Sequence, residues 1–328
     1  MAVEILSVGA YTPKNRVTND ALADIYKVDT SDEWIMSHTG IGSRYIASEK
    51  ETCTSIAFEA SKIAIEKAGI KANDLDCVIF ASSTPDYKTF PASSSILQEL
   101  LGAENAGAFD LNQGCTGFIY GLEVGRSLIV GGMKKVLVVG AEKLTSHLNW
   151  EDRNTCVLFG DGAGAVILTE SVSDDSKIID SFLRSEGSGA ECLKVHKGGS
   201  KYPLIAGQVV DDHSFIYMDG RNVYNFAVRA VADVVRILME KHNLSEDDLK
   251  YIVPHQANKR IIQAAAKRLG LNFNKFFLNI EEFANTSAAT VPIALNEMDE
   301  KGLLVKGDLI LTVGFGAGLA YGGNLLRW

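Results

Sequence analysis

The sequence predicts an α/β protein made of two similar halves. Three observations carry this. Strand-like apolar runs alternate with amphipathic helical stretches, as α/β layering requires. Segments of the chain also match one another at a constant offset of 174 residues (240 − 66 = 174). Finally, a cysteine, Cys115, sits at a strand-to-helix corner flanked by Gly114 and Gly117.

The offset is visible in three places. The stretch from Ala64 to Phe80 aligns with Leu238 to Pro254, pairing Glu66 with Glu240, Lys67 with Lys241, Asp74 with Asp248 and Leu75 with Leu249. Both read as amphipathic helix, turn and buried strand. Leu137-Val-Val-Gly140 aligns with Leu311-Thr-Val-Gly314, and Cys115-Thr116 with Ala289-Thr290 at the head of a second helix. The period is too long for a solenoid. We therefore expect an N-terminal half over residues 1–172, carrying Cys115, and a C-terminal half over 173–328. Packing two such halves together directs both helix heads to a shared centre, near the C-terminal ends of strands where such folds place their sites.

Bulk composition bounds the function. The 328 residues are 46% apolar and 22% charged, as in globular proteins, and the net charge of −9 argues against nucleic acid as the partner. No stretch approaches the apolar length of a membrane span, and no secretory h-region precedes Val17. The five cysteines are scattered without a C-x-x-C pair, so neither zinc nor a redox motif is expected, and a reducing cytoplasm fits. Cys77 and Cys156 lie in apolar runs and read as core; Cys53 and Cys192 have no readable chemical context.

Cys115 is the candidate nucleophile. Backbone N–H groups and the helix dipole at such a corner favour an anion, so its thiol pKa is expected to fall. A small buried core cysteine is the competing reading. His255 follows a buried strand in Tyr251-Ile-Val-Pro-His-Gln-Ala-Asn258. Asn285 precedes the second helix head, where it would either cap that helix or donate its amide to a reacting oxygen. Gly160-Asp-Gly-Ala-Gly-Ala165 and Gly314-Phe-Gly-Ala-Gly318 lack phosphate-loop spacing and suit close backbone packing or oxyanion N–H groups. The Gly- and Ser-rich stretch 185–215 reads as a long loop over the site or as a plain surface connection.

Cys115, His255 and Asn285 in that order, followed by Gly314-Phe-Gly-Ala-Gly318, resemble β-ketoacyl-acyl carrier protein synthase III, an initiating condensing enzyme of the thiolase superfamily. Thr30-Ser-Asp-Glu-Trp-Ile35, Thr39-Gly-Ile41, Phe159-Gly-Asp-Gly-Ala-Gly164 and Asn285-Thr-Ser-Ala-Ala289 extend the resemblance along nearly the whole chain. It implies a thiolase-like fold of α-β-α-β-α layers. It further implies decarboxylative condensation of an acyl-CoA primer, foremost acetyl-CoA, with malonyl-acyl carrier protein, starting fatty acid synthesis. No metal or redox cofactor is implied, the coenzyme A thioester being substrate. The family also implies a homodimer formed through the first half.

By the same resemblance Cys115 is acylated, the N–H groups of Cys115 and Ala317 form the oxyanion hole, and His255 and Asn285 stabilise the enolate. Trp34 resembles the adenine-stacking residue and Arg153 the arginine near that ring and the phosphates. Gly220 and Asn258 resemble pantetheine contacts, Phe315 lines the centre, and Phe90 reaches across the dimer. Arg260, Lys267 and Arg268 resemble a carrier-protein patch, with a solvated helix face as the alternative. The chain departs from the family at several positions. His38 stands where Arg is frequent, Gln113-Gly114 where Ala-Ala is common, and Tyr224 for Phe. Ala284 stands for Gly, Tyr321 for Trp, and Asn225 for a lysine assigned to carrier binding. These bear on primer choice and CoA contacts.

Rival classes remain. The 3-hydroxy-3-methylglutaryl-CoA synthases need a Glu base, absent from Ser82-Ser-Thr-Pro-Asp86, and elongating synthases carry a second His where Asn285 stands. Synthase III relatives in specialised pathways share the motifs. A Cys-His-Asn hydrolase would carry a papain-type cysteine signature that this chain lacks. A silent scaffold would show no acylation.

Overall fold

The computed structural model describes residues 1–173 and 175–328. The chain opens with β1 (Val3–Tyr11), β2 (Asn15–Thr18), α1 (Asn19–Tyr26), α2 (Asp32–Thr39) and β3 (Ser43–Ile46). It continues through α3 (Cys53–Ala68), β4 (Cys77–Ala81), α4 (Ser93–Leu101) and β5 (Gly107–Leu111). Next come α5 (Gly117–Val130), β6 (Lys135–Lys143), α6 (Arg153–Cys156) and β7 (Asp161–Glu170). The second part begins with β8 (Lys177–Ser185), β9 (Leu193–Val195), β10 (Ile216–Met218) and α7 (Gly220–Lys241). It ends with β11 (Tyr251–Pro254), α8 (Lys259–Leu269), α9 (Ile280–Phe283), α10 (Thr290–Glu300), β12 (Leu309–Gly316) and β13 (Ala320–Arg327).

The repeat read from the sequence is the repeat of the fold. One sheet has strand order β1-β7-β6-β4-β5 and the other β8-β13-β12-β11. In the first, β1·β7 and β6·β7 are antiparallel and β4·β6 parallel. In the second, β8·β13 and β12·β13 are antiparallel and β11·β12 parallel. The pairing signs match strand for strand. β8 starts 174 residues after β1 (177 − 3 = 174). The counterpart of edge strand β5 is reduced to an isolated parallel bridge between Ile252 and Phe276.

Three cores separate five layers. The middle one joins Phe118, Ile119 and Leu122 of α5 and Val291, Leu295 and Met298 of α10 to strand residues of both sheets. Outside the first sheet, Ile56, Ala57, Ala60 and Ala64 of α3 cover Val78, Phe80, Leu137 and Val139. Outside the second, Val231, Val234 and Leu238 of α7 and Ile262 and Ala266 of α8 cover Leu311, Val313 and Leu325. Central strands buried on both faces must be continuously apolar, and Val136–Val139 are so, with no exposure.

Because α5 and α10 are equivalent, their entry turns, Gly114–Thr116 and Ser287–Ala289, meet at the centre. The stretch 185–215 does not simply connect the halves. It contributes β9, which pairs with β10 immediately after it, and these two strands fold over that centre.

Candidate active site

Two cavities converge on Cys115. The larger, about 710 Å³, runs from Trp34, His38 and Arg153 past Gly220, Tyr224, Asn258 and Arg260 to Cys115, His255, Asn285 and Phe315. The smaller, about 110 Å³, lies behind the thiol and is walled by Leu144, Phe159, Leu193, Val195 and Ile216, with Ser83, Ser287 and Ala317 beside Cys115.

A short 3-10 turn, Gly114–Thr116, carries Cys115 into α5. Gly114 has φ +54, a left-handed conformation that favours glycine. The β12 strand crosses the turn so closely that a Cβ on Gly316 would lie 2.8 Å from the Cys115 Cβ and 3.1 Å from its sulfur. This approach aims the N–H of Ala317, along with that of Cys115 itself, at the sulfur.

The expected depression of the thiol pKa is not what the fold produces. Burial pushes it up to about 11, and the negative field of Glu142 adds to this. The Ser287 hydroxyl and the N–H groups of Cys115 and Ala317 lower it but do not offset the lost hydration. The residue is half-buried, opening on the cavity, while its sulfur lies deep among protein atoms. All five cysteines are free.

His255 follows β11, its N–H bonded to the Val313 carbonyl at 2.7 Å and its ring edge-on to Phe315 at 5.1 Å. Burial drives its pKa down to about 3, so it is a neutral imidazole at physiological pH. Its Nδ1 lies 2.7 Å from the Thr290 hydroxyl, leaving Nε2 as the ring's other hydrogen-bonding atom.

Asn285 does not cap α10; the residue preceding that helix is Ala289. Its backbone pairs with Leu158 and Gly160 at 3.0 Å, and its Oδ1 accepts the Ser287 N–H at 2.9 Å. The Nδ2 donors are thereby left for the cavity. Ala284, just before it, has φ +55 and ψ −156, a conformation open essentially to glycine alone.

At the cavity mouth Trp34 stacks on His38 with ring centres 4.4 Å apart, and the Arg153 guanidinium lies 4.6 Å over the Trp34 ring. His38 Nδ1 is 2.7 Å from the Trp34 carbonyl. Asn258 spends its side chain on structure, donating to the His38 carbonyl at 3.1 Å and accepting from the Arg260 N–H at 2.8 Å. That joins α2 to the start of α8.

Other expected residues are dispersed. Phe90 is 79% exposed and lines neither cavity. Arg260 borders the large cavity, but Lys267 and Arg268 occupy the last turn of α8, about 12 Å further along the axis. Arg268 lines a separate groove with Arg236. Tyr321 and Asn225 border neither of the two cavities at Cys115. Among the described residues no cluster of three or more His, Cys, Asp or Glu is placed to hold a metal.

Sequence reasoning missed Glu142, Ser287 and Thr290. Glu142 is the penultimate residue of β6, fully buried, and accepts hydrogen bonds from the loop after β4. A carboxylate following the apolar run Val136–Ala141 was the available signal. Cys53, unreadable in sequence, lies in this polar pocket with its sulfur 3.5 Å from the Ser82 hydroxyl.

Known proteins resemble this chain along its length. Residues 109–187 match the family model for 3-oxoacyl-acyl-carrier-protein (ACP) synthase III, and residues 239–328 match the model for its C-terminal part. A beta-ketoacyl-acyl-carrier-protein synthase III from Caldanaerobacter subterraneus subsp. tengcongensis is 45% identical, covering 100% of this chain and 98% of its own. One from Clostridium beijerinckii is 46% identical, covering 99% of each. The crystal structure of 3-oxoacyl-acyl-carrier-protein synthase III from Aquifex aeolicus VF5 superposes with a TM-score of 0.90 at 43% identity, covering 99% of this chain and 100% of that one. With its doubled sheets, its buried thiol corner and these full-length matches, the chain belongs to the β-ketoacyl-acyl carrier protein synthase III family of condensing acyltransferases.

Proposed function

We propose that this condensing enzyme takes acetyl-CoA or another short acyl-CoA as primer and malonyl-acyl carrier protein as extender, and that Cys115, His255 and Asn285 carry the reaction. The observation that carries this reading is the convergence of those three residues at the end of one cavity whose mouth holds Trp34 and Arg153. An adenine ring fits the stack at Trp34, and a pantetheine arm fits the passage past Gly220, Tyr224 and Asn258. The small apolar cavity suits a short acyl chain.

In the first half-reaction the Cys115 sulfur attacks the primer thioester carbon, the developing oxyanion faces the Cys115 and Ala317 N–H groups, and CoA leaves as its thiol. In the second, malonyl-acyl carrier protein enters. Its thioester carbonyl accepts hydrogen bonds from His255 and the Asn285 amide as CO2 departs. The resulting carbanion attacks the acyl-Cys115 carbonyl, the bond from that carbon to the Cys115 sulfur breaks and returns the free cysteine, and the β-ketoacyl product remains on the carrier. The scheme uses no metal and no redox cofactor.

A homodimer through the first sheet fits its free β5 edge, where Phe109 is exposed, and the exposed Tyr87 and Phe90 nearby in sequence. Arg260 at the cavity mouth fits an acidic carrier protein. The net charge of −9 gives nucleic acid no reason to bind. Among the described residues no helix is long and apolar enough to cross a membrane, and with five free thiols the cytoplasm is the proposed compartment.

Intact mass after incubation with acetyl-CoA tests the proposal. An acetyl adduct on Cys115, absent in Cys115→Ala and discharged by malonyl-acyl carrier protein with acetoacetyl-carrier formed, is expected. Adducts only with branched or longer acyl-CoAs would move the primer. No adduct with any acyl-CoA would overturn the reading.

A further inference from the structure

Arg44, on β3, is a fully buried cation for which the steps above have no use. Its Nη1 donates to Asn19 Oδ1 at 2.7 Å and, more loosely, to the Val17 carbonyl at 3.4 Å. Its Nη2 donates to the Val157 carbonyl at 2.9 Å. All three acceptors are uncharged, and among the described residues the buried Nε has no hydrogen-bond partner. Burial lowers its pKa to about 10, which leaves the guanidinium charged at neutral pH. Exchanging buried ions for apolar side chains of similar volume is often neutral or stabilising, so fold stability alone is a weak reason for an arginine here.

What Arg44 holds are the two elements of the cavity mouth. Val157 caps the C-terminus of α6, the short helix that begins with Arg153. Asn19 is itself fully buried, and its Nδ2 donates to Asp32 Oδ1 at 2.8 Å and to the Ile41 carbonyl at 2.7 Å. Asp32 opens α2 and Ile41 lies two residues past its end, so Asn19 grips the helix carrying Trp34 at both ends. A guanidinium is a rigid planar fork, so Arg44 fixes the separation of Val157 and Asn19, and through them that of α6 and α2. Gly160 lets β3 come this close, since a Cβ there would lie 3.0 Å from the Arg44 Cβ. The one tie between the same elements at the surface is the bond from Arg153 Nη1 to the Asp29 carbonyl at 2.8 Å, which is exposed to solvent.

We propose that Arg44 is a positioning residue for coenzyme A, holding α2 and α6 so that Trp34 and Arg153 are presented to the same adenine ring. The inference rests on the reading above that adenine binds at Trp34 and that Cys115 is acylated. Arg44 lines neither cavity at Cys115, so it acts only through the elements it joins, whereas Val157 borders the large cavity itself. The product of the clamp is visible in the Arg153 guanidinium held 4.6 Å over the Trp34 ring. Gly220 and Tyr224 of the proposed pantetheine passage belong to α7, to which Arg44 makes no hydrogen bond. The effect of the clamp is therefore confined to the nucleotide end of the substrate.

The test compares the second-order rate constant for Cys115 acylation by acetyl-CoA with that for acetyl-pantetheine, by rapid quench and intact mass. Arg44→Met keeps the buried volume and removes the fork; Arg44→Lys keeps the charge and removes the fork. Each should lower the acetyl-CoA value about tenfold through a raised half-saturation, with the saturating rate and the acetyl-pantetheine value within about twofold of the unsubstituted enzyme. In a Trp34→Ala background Arg44→Met should cost nothing more, because both remove the same contact with adenine. Asn19→Asp keeps an acceptor for Arg44 and gives it a counter-charge, but loses the donors to Asp32 and Ile41. It should reproduce the acetyl-CoA loss, and it decides alone if the Arg44 variants do not fold. Equal losses for both thioesters, or a full additional loss on top of Trp34→Ala, would overturn the proposal and leave Arg44 a residue of fold stability only. If Trp34→Ala by itself leaves the acetyl-CoA value unchanged, adenine does not bind there, and the clamp falls with that reading. Absence of any acyl adduct on the unsubstituted enzyme would instead sink the acylation reading.

Discussion

The imidazole of His255 and the hydroxyl of Thr290 meet at 2.7 Å between Nδ1 and Oγ1, and the same hydroxyl lies 2.9 Å from the Ser287 carbonyl. One proton cannot serve both. Donation to Nδ1 places the ring proton on Nε2 and makes a neutral His255 a donor toward the cavity. Donation to Ser287 leaves Nε2 a bare acceptor. Thr290 thus sets whether Nε2 of a neutral His255 carries a proton.

Replacing Thr290 by Val keeps the shape and removes the choice. We expect kcat for condensation to fall roughly tenfold or more, as for loss of an oxyanion donor. The rate of primer acylation should change much less. Comparing single-turnover acylation with steady-state condensation checks this, and Thr290→Ser should recover most of the loss.

Ala284 holds a glycine conformation at φ +55, and such strain costs about 1–3 kcal/mol. Ala284→Gly relieves it and gives back part through the looser unfolded chain. The net gain should raise the thermal midpoint by roughly 2 °C, measurable by calorimetry.

Trp34 is flanked by His38 and Arg153 at the cavity mouth. Base stacking on an aromatic ring contributes about 1–3 kcal/mol. Trp34→Ala should therefore raise KM for acetyl-CoA about tenfold, while KM for acetyl-pantetheine, which has no adenine, stays put. Equal effects on both substrates would remove adenine from this site.

Arg16 grips Glu282 with two hydrogen bonds of 2.7 Å, and Tyr45 adds a third at 2.6 Å. These hold the Glu282 pKa down at about 2, the Arg16 hydrogen bond contributing most. A depressed carboxylate contributes stability above its unfolded pKa of about 4.3 and loses it as pH falls through the folded value. Arg16→Gln should therefore lower stability at pH 7 by a small amount, since the pair is well exposed to solvent, and the difference from the unsubstituted protein should shrink to nothing as pH falls toward 2. Denaturant unfolding followed by ellipticity at pH 7 and at successively lower pH decides it.

Much of this was legible because it is local. The repeat at 174 residues is written in helix–turn–strand units whose apolar spacing survives in each copy, and the two sheets reproduce it strand by strand. The corner at Cys115 and the polar turns around His255 and Asn285 show as short runs of fixed residue types, so the motifs that place the family were readable in one dimension. The Cys115 pKa was not. A helix entry alone favours the thiolate, but Gly316, Ala317 and Ser287 close over the sulfur from distant parts of the chain, and desolvation wins. The same holds for Glu142, which is enclosed where β6 and the loop after β4 meet, and for Arg260, which helix length separates from Lys267 and Arg268. The sequence by itself determined the elements, their duplication and the residues proposed to react. The tertiary structure decided the protonation of those residues and who their neighbours are, because burial and Coulomb fields are set by atoms remote in sequence and close in space.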